Sequence, residues 1–145
     1  MSIVENKALA RRSFEAFNQR DLSAADEIYA PSYMLHSPIA PPDLPIGSEG
    51  VRQQHAGYLA AFPDEQITVE DLIAEGDRVA VRVTVRGTHR GIFMGVAPTG
   101  RPVALEAITI YRVDAEKIVE DWTIADIPGL QQQLGASAPA TPALG

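Results

Sequence analysis

The spacing of hydrophobic residues predicts helices in the first half of the chain. In residues 3–18, apolar side chains recur every three or four positions and charged side chains take the remaining surface, as in an amphipathic helix. The same spacing predicts a short helix over 22–30, which Asp21 or Ser23 can cap, and a third helix over 47–61. These helices need an apolar surface to pack against.

The second half alternates apolar and polar residues with a period of two, which is typical of half-buried strands. This alternation predicts strands over 66–74 and 77–89, and two more at about 102–113 and 117–126 that are joined by a hairpin loop. A final short helix is expected over 128–134. The second half therefore predicts a largely antiparallel sheet.

The two halves together predict one α+β domain over residues 1–135. The segment 31–38 is extended, and four prolines between 38 and 45 predict an irregular loop after it. Helices that come before a long antiparallel meander are expected to cover one face of a curved sheet and to leave a pocket beneath them. The small and proline-containing residues 136–145 are expected to form a flexible tail.

Composition narrows the class of protein. The 145 residues are 46% hydrophobic, which suits a single core, and 12 basic against 19 acidic residues give a net charge of −7. Without a run of Lys and Arg, no nucleic-acid partner is expected. There is no cysteine for a disulfide or a thiol nucleophile. The sequence has neither a long apolar run nor a signal-peptide pattern, so we expect a cytoplasmic protein with no membrane span.

Short motifs, most of them in the second half, carry a resemblance to a known family. They are FPD at 62–64, GD at 76–77, GTHRG at 87–91, PTGR at 98–101, KIVEDW at 117–122, Asp126, and GLQQQLG at 129–135. Through them, residues 5–135 resemble the SnoaL-like polyketide cyclase family, also called ester cyclases, of the nuclear-transport-factor-two-like superfamily. The resemblance implies a cone-shaped α+β barrel, with N-terminal helices packed on a curved, mainly antiparallel sheet. It also implies a homodimer formed through the open sheet face.

The resemblance implies a cofactor-independent cyclase or isomerase-like enzyme that acts on a small apolar carbonyl or polyketide-type metabolite. In such cyclases an aspartate removes a proton next to a carbonyl, and a histidine assists the developing oxyanion. Alignment on the motifs places those two positions at Thr123 and Thr109. Because a threonine hydroxyl is a poor proton acceptor near neutral pH, we expect both threonines to bind substrate, with the acid or base elsewhere.

His36, His89 and Asp121 are the candidate catalytic residues. His89 continues the odd-numbered face of its strand, and its alternative role is to bond a backbone carbonyl at the GTHRG bend. His36 ends an extended segment that in this fold reaches either the pocket mouth or the surface. Asp121 lies near Thr123, although placing an aspartate at that position requires a register change.

His55 and Tyr58 share one helical face and are candidate substrate-binding residues, with core packing as the alternative. Glu106 lies among aliphatic residues on the even-numbered face of its strand. There it either has a raised pKa and acts as a base, or pairs with Arg82, Arg86 or Arg112. The histidines are too far apart in sequence to indicate a metal site, and no cofactor is expected.

Trp122 and Asp126 complete the candidate binding residues. For Trp122 the alternatives are contact with a flat ligand, internal packing and contact with a partner subunit. For Asp126 they are substrate binding and capping of the final helix. The alternation along the last strand does not decide whether the Thr123 face or the Trp122 face lines the pocket.

Two other functions remain open from the residues alone. The loss of the usual aspartate and histidine is compatible with a non-catalytic protein that binds a hydrophobic ligand. Alternatively, Asp121 with Arg82 or Arg112 provides the carboxylate and cation that epoxide opening needs.

Overall fold

The computed structural model of the chain describes residues 2–135. Its helices and strands, in chain order, are α1 (Ile3–Gln19), α2 (Ala25–Ile28), β1 (Tyr29–His36), α3 (Ser48–Ala61), β2 (Gln66–Glu75), β3 (Arg78–Thr88), β4 (Pro102–Asp114), β5 (Lys117–Ala125) and α4 (Ile127–Gln133). The amphipathic pattern of α1 is reinforced at its start by a capping box, in which Ser2 and Glu5 each accept a backbone N–H from the other.

The five strands form one mixed sheet in the order β1-β5-β4-β3-β2. Strand β1 runs parallel to β5, and every other neighbouring pair is antiparallel. The β4–β5 hairpin closes between Asp114 and Lys117, while β3 and β4 stay in register from Arg78 to Thr88. This register fixes which residues of β4 and β5 share a face with the buried valines of β3.

The core lies between the inward sheet face and α1. Val79 and Val81 of β3 are completely buried, and Leu9 and Phe14 of α1 belong to the same cluster. Full burial of such a side chain contributes roughly 1.5–3 kcal/mol, so this layer fixes the helix on the sheet. The α+β prediction, with helices on a mainly antiparallel sheet, is confirmed.

The prediction of a helix over 22–30 is wrong in extent and in its cap. Helix α2 ends at Ile28 because Tyr29 begins β1 and pairs with Ile118 of β5. The N-cap is Ala24, without a side-chain bond, while the Asp21 carboxylate accepts the backbone N–H of Ser23 in the preceding turn.

The remaining predictions of elements agree with the structure to within about two residues. The segment between β1 and α3 has no helix or strand in the structure, as its prolines predicted. The predicted tail, 136–145, lies outside the described residues. No helix among the described residues has the length and apolar character needed to cross a membrane.

Candidate active site

A cavity opens between the inward sheet face and helices α1 and α3. Its wall is mostly aromatic and aliphatic. Odd-numbered residues of β4 and β5 line it, from Val103 to Tyr111 and from Asp121 to Ala125. The Thr123 face therefore lines the cavity, and the even-numbered Trp122 face points away from it.

Asp121 is the polar centre of one end of the cavity. Its side chain is buried, and Tyr33 donates a hydrogen bond to Oδ2 at 3.0 Å. The Thr123 hydroxyl donates to Oδ1 at 2.7 Å, and the Thr109 and Thr123 hydroxyl oxygens are 2.8 Å apart. Because Thr123 has only one hydroxyl proton and gives it to Asp121, Thr109 donates to Thr123. The two threonines thus form a relay of hydrogen bonds that ends on the carboxylate.

The environment makes Asp121 a stronger base than an ordinary aspartate. Burial raises its pKa to about 6, although the hydrogen bonds from Thr123 and Tyr33 oppose that rise. Near neutral pH the group is mostly ionised, yet it binds a proton more readily than an exposed aspartate does. It is therefore suited to accept a proton from a bound molecule.

The structure corrects the expectation that an aspartate reaches the Thr123 position only through a register change. Asp121 and Thr123 are two residues apart on one strand, so both side chains point to the same face. The carboxylate of Asp121 lies beside the Thr123 hydroxyl with the register as it stands.

His55 and Tyr58 of α3 also line the cavity. The His55 ring packs 4.9 Å from the ring of Phe17, and burial lowers its pKa, so the imidazole is predominantly neutral near pH 7. Its buried Nε2 has no hydrogen-bond partner among the described residues. Burial raises the pKa of Tyr58 to about 12, which keeps the phenol protonated.

Among the cavity residues that the sequence patterns did not point to are Glu65 and Tyr33. Glu65 follows the FPD motif in the turn between α3 and β2, where no hydrophobic period reports orientation, yet it is only 6% exposed and its carboxyl lines the cavity. Burial raises its pKa to about 7 against the lowering effect of the Arg20 charge. Tyr33 lies on β1, where an irregularity between Tyr29 and Met34 interrupts simple alternation.

The structure places His36 and Trp122 outside the cavity. Parallel pairing sets His36 opposite Trp122, and the two rings stack at 5.5 Å on the outward face of the sheet. Nε2 of His36 donates to Glu120 at 2.7 Å, and the guanidinium of Arg78 lies 4.9 Å from the Trp122 ring centre. The candidate roles of His36 in catalysis and of Trp122 in ligand contact are not supported by this position.

His89 is fully buried but does not line the cavity. Strand β3 ends at Thr88, and Nδ1 of His89 accepts the backbone N–H of Thr99 at 3.2 Å, so the ring proton is on Nε2. The ring packs 5.6 Å from that of Phe62. His89 therefore holds the bend, as its alternative role anticipated, although it accepts an N–H rather than bonding a carbonyl.

Glu106 and Asp126 also lie away from the cavity. Glu106 is exposed on the outward face, while Asp126 is the N-cap of α4 and accepts the Gly129 N–H at 3.0 Å. Of the arginines expected near Glu106 or Asp121, Arg82 pairs with Asp71 and Arg112 with Glu120, while Arg86 lines the cavity. Neither the Glu106 ion pair nor the epoxide-opening pair with Asp121 is formed.

Within residues 2–135, no three His, Cys, Asp or Glu side chains are grouped closely enough to hold a metal ion. The polar residues that line the cavity instead supply two carboxyls, one imidazole, several hydroxyls, the Gln54 amide and the Arg86 guanidinium. This set can transfer protons and donate hydrogen bonds.

A comparison with known families agrees with this fold and site, in which an α+β sandwich holds an apolar cavity and a buried aspartate on the last strand. The model of the SnoaL-like polyketide cyclases matches residues 7–134. The chain therefore belongs to the SnoaL-like polyketide cyclase family.

Individual relatives support the same placement. The chain is 30% identical over 138 residues to the aklanonic acid methyl ester cyclase AcmA of Streptomyces galilaeus. This match covers 94% of the chain and 95% of AcmA. Among solved structures, IdmH of Streptomyces antibioticus is 39% identical with a TM-score of 0.79, covering 90% of this chain and 98% of its own. TsrD of Streptomyces laurentii is 27% identical with a TM-score of 0.84, covering 94% and 98%.

Proposed function

We propose that the chain is a cofactor-independent cyclase that closes a ring in a largely apolar, polyketide-type ester, with Asp121 as the base. The observation that carries this proposal is the buried carboxylate of Asp121 at one end of an apolar cavity, held by Tyr33 and Thr123. Membership of a polyketide cyclase family and the similarity to AcmA support the reaction class.

In the proposed reaction, the Asp121 carboxylate removes a proton from the carbon next to a substrate carbonyl. The electron pair of that C–H bond forms an enolate, whose carbon then bonds to a second carbonyl carbon of the same molecule. The oxygen of the second carbonyl becomes an alkoxide and takes the proton back from Asp121. Atoms and electrons balance without an oxidant or reductant.

Tyr33 and the threonine relay keep the base in position through this cycle. Two donated hydrogen bonds hold both oxygens of the carboxylate, and the apolar wall excludes water that competes for the proton. By the alignment on the family motifs, the two threonines stand at the positions of the family's usual aspartate and histidine. We propose that the base has moved two residues along the same strand face, from position 123 to Asp121.

Asp121→Asn tests this proposal. The substitution keeps the shape and removes the proton acceptor, so we expect ring closure of aklanonic acid methyl ester or a related polyketide ester to fall by roughly 100-fold or more. Turnover is measured by chromatography of the cyclised product with purified protein. Asp114→Asn is the matched control, since Asp114 is an exposed aspartate at the end of β4. It should leave turnover unchanged.

A non-catalytic ligand-binding protein is the outcome that contradicts the proposal. In that case wild type binds the ester without converting it, and Asp121→Asn changes only the affinity. Equal turnover by wild type and Asp121→Asn removes Asp121 from the mechanism.

A further inference from the structure

Two further polar side chains of the cavity, Glu65 and His55, have no role in the proton transfer assigned to Asp121. Both residues line the cavity and both are only 6% exposed. Nε2 of His55 is buried without a hydrogen-bond partner among the described residues. Because an unpaired buried polar atom costs about 1–3 kcal/mol, the His55 ring is expensive for the fold to keep in this position.

Arg20 lies behind this pair without neutralising it. Its guanidinium donates to the backbone carbonyls of Phe17, Asn18 and Pro63 at 3.4, 3.1 and 3.1 Å. Burial is the larger influence on both groups, and it raises the pKa of Glu65 and lowers that of His55. The Arg20 charge lowers both pKa values. The cation is therefore nearby, yet its three hydrogen bonds go to the main chain, and the Glu65 carboxyl has no hydrogen bond or ion pair among the described residues.

Glu65 lies at the opposite end of the cavity from Asp121. A Cβ at Gly87 would approach the Cα of Glu65 to 3.6 Å, and Gly87 is the register partner of Val103 on β4. Asp121 is instead the register partner of Tyr111 on the same strand. Residues 103 and 111 are eight positions apart, which is roughly 26 Å along a fully extended strand and less where the sheet curves.

Tyr58 also lines the cavity. Burial is the main cause of the raised pKa of Tyr58. The negative charges of Glu65 and Asp121 raise this pKa further. Apolar side chains such as Phe62, Val85 and Leu105 line the wall around this region. A long ligand with an apolar middle and a polar group at each end fits this distribution.

We propose that Glu65 and His55 form a distal subsite that binds a hydroxyl or carbonyl oxygen of an extended, largely apolar substrate. The inference deepens the proposed function, because it assigns a polar group to the end of the substrate that does not react. Glu65 accepts from a hydroxyl when ionised and donates to a carbonyl when protonated, and Nε2 of His55 adds a second polar atom. Such a pair selects for an oxygen at that end, since a substrate without one leaves both groups unpaired.

A matched pair of fluorescent probes tests the subsite without any turnover. The probes are 2-(hydroxymethyl)anthracene and 2-methylanthracene, which share a flat tricyclic skeleton and differ by one hydroxyl. Their dissociation constants are measured by fluorescence titration with wild type, Glu65→Leu, Glu65→Gln and Asp121→Asn. We expect the preference of wild type for the hydroxyl probe to fall about tenfold in Glu65→Leu. Glu65→Gln should keep most of it, because the amide still bonds a hydroxyl.

The other variants separate this inference from the proposed function. Asp121→Asn should keep the full preference, because the hydroxyl binds at the other end. An unchanged preference in Glu65→Leu, a preference lost in Asp121→Asn instead, or none in wild type overturns the subsite. If Asp121→Asn keeps full turnover while Glu65→Leu loses the preference, the proposed base is wrong and the subsite stands. Thermal unfolding of each variant confirms that the comparison is made on folded protein.

Discussion

At the scale of single residues, the chemistry of the cavity is set by two buried carboxyl groups, Asp121 and Glu65. Burial raises the pKa of Asp121 to about 6 and that of Glu65 to about 7. Asp121 receives two hydrogen bonds from neighbouring hydroxyls, whereas the opposing influence on Glu65 is the Arg20 charge. The Asp121 carboxylate is positioned for proton transfer, and the Glu65 carboxyl is positioned to bind a polar group of a ligand.

The raised pKa of Glu65 makes stability depend on pH in a definite direction. Its pKa rises from 4.5 in the unfolded chain to about 7 in the folded protein, so unfolding releases a proton between those pH values. Wild-type stability should therefore fall, relative to Glu65→Gln, by on the order of 3 kcal/mol as the pH rises from about 4 to 8. Urea unfolding of both proteins at the two pH values measures this. A difference that stays constant with pH contradicts the assigned burial of the charge.

The sequence predicts which way a side chain points only where its helix or strand has a regular hydrophobic period. Alternation put Asp121, Thr123 and Thr109 on faces that the sheet register then brought together. His36 could not be placed in this way, because its orientation follows from a parallel pairing between distant strands. Glu65 lies in a turn, where its burial depends on how α3 meets the bend after β3.

At the scale of elements, the bend after β3 joins the sheet to the end of α3. The backbone N–H groups of Arg90 and Gly91 both donate to the Ala61 carbonyl, at 2.9 and 3.1 Å. His89 holds the other side of the bend through Thr99. The FPD turn and the GTHRG bend therefore form one packed unit beside Glu65.

Gly91→Ala tests this packing. A Cβ at Gly91 would lie 2.1 Å from the Ala60 carbonyl oxygen, so the bend must move and we expect a loss of roughly 1–3 kcal/mol in unfolding free energy. Gly57→Ala is the matched control, because no atom lies within 4 Å of a Cβ at that exposed position inside α3. It should instead stabilise by roughly 0.5–1 kcal/mol. Equal effects in chemical denaturation would refute the close approach.

At the scale of the whole molecule, the sheet has two faces of different kinds. The inward face lines the core and the cavity, while the outward face carries Ile108, Ile110 and Ile124, which are 50, 37 and 71% exposed. Ile108 and Ile124 are register partners, and Ile110 pairs with Trp122, so these side chains form one continuous apolar patch. The homodimer expected from the family resemblance stays a prediction, and this patch is where we propose that two copies meet.

Ile124→Lys tests the proposed pairing. A lysine at the most exposed isoleucine of the patch places a charge in the interface, so we expect a protein that sediments as a dimer to become a monomer. Ile73→Lys is the control, because Ile73 is 68% exposed on β2 at the far edge of the sheet. Sedimentation equilibrium reports both masses. A monomeric wild type, or a dimer that Ile124→Lys leaves intact, contradicts this surface as the interface.

The central claim is that the ionised carboxylate of Asp121 is the base for ring closure. The pH dependence of kcat/KM tests it most directly. For wild type we predict a limb that rises with pH and levels off above an apparent pKa of about 6, since only ionised Asp121 accepts the proton. The residual activity of Asp121→Asn should lack that limb. A limb of the same midpoint in Asp121→Asn, or a wild-type rate that does not change between pH 5 and 7, would contradict the account.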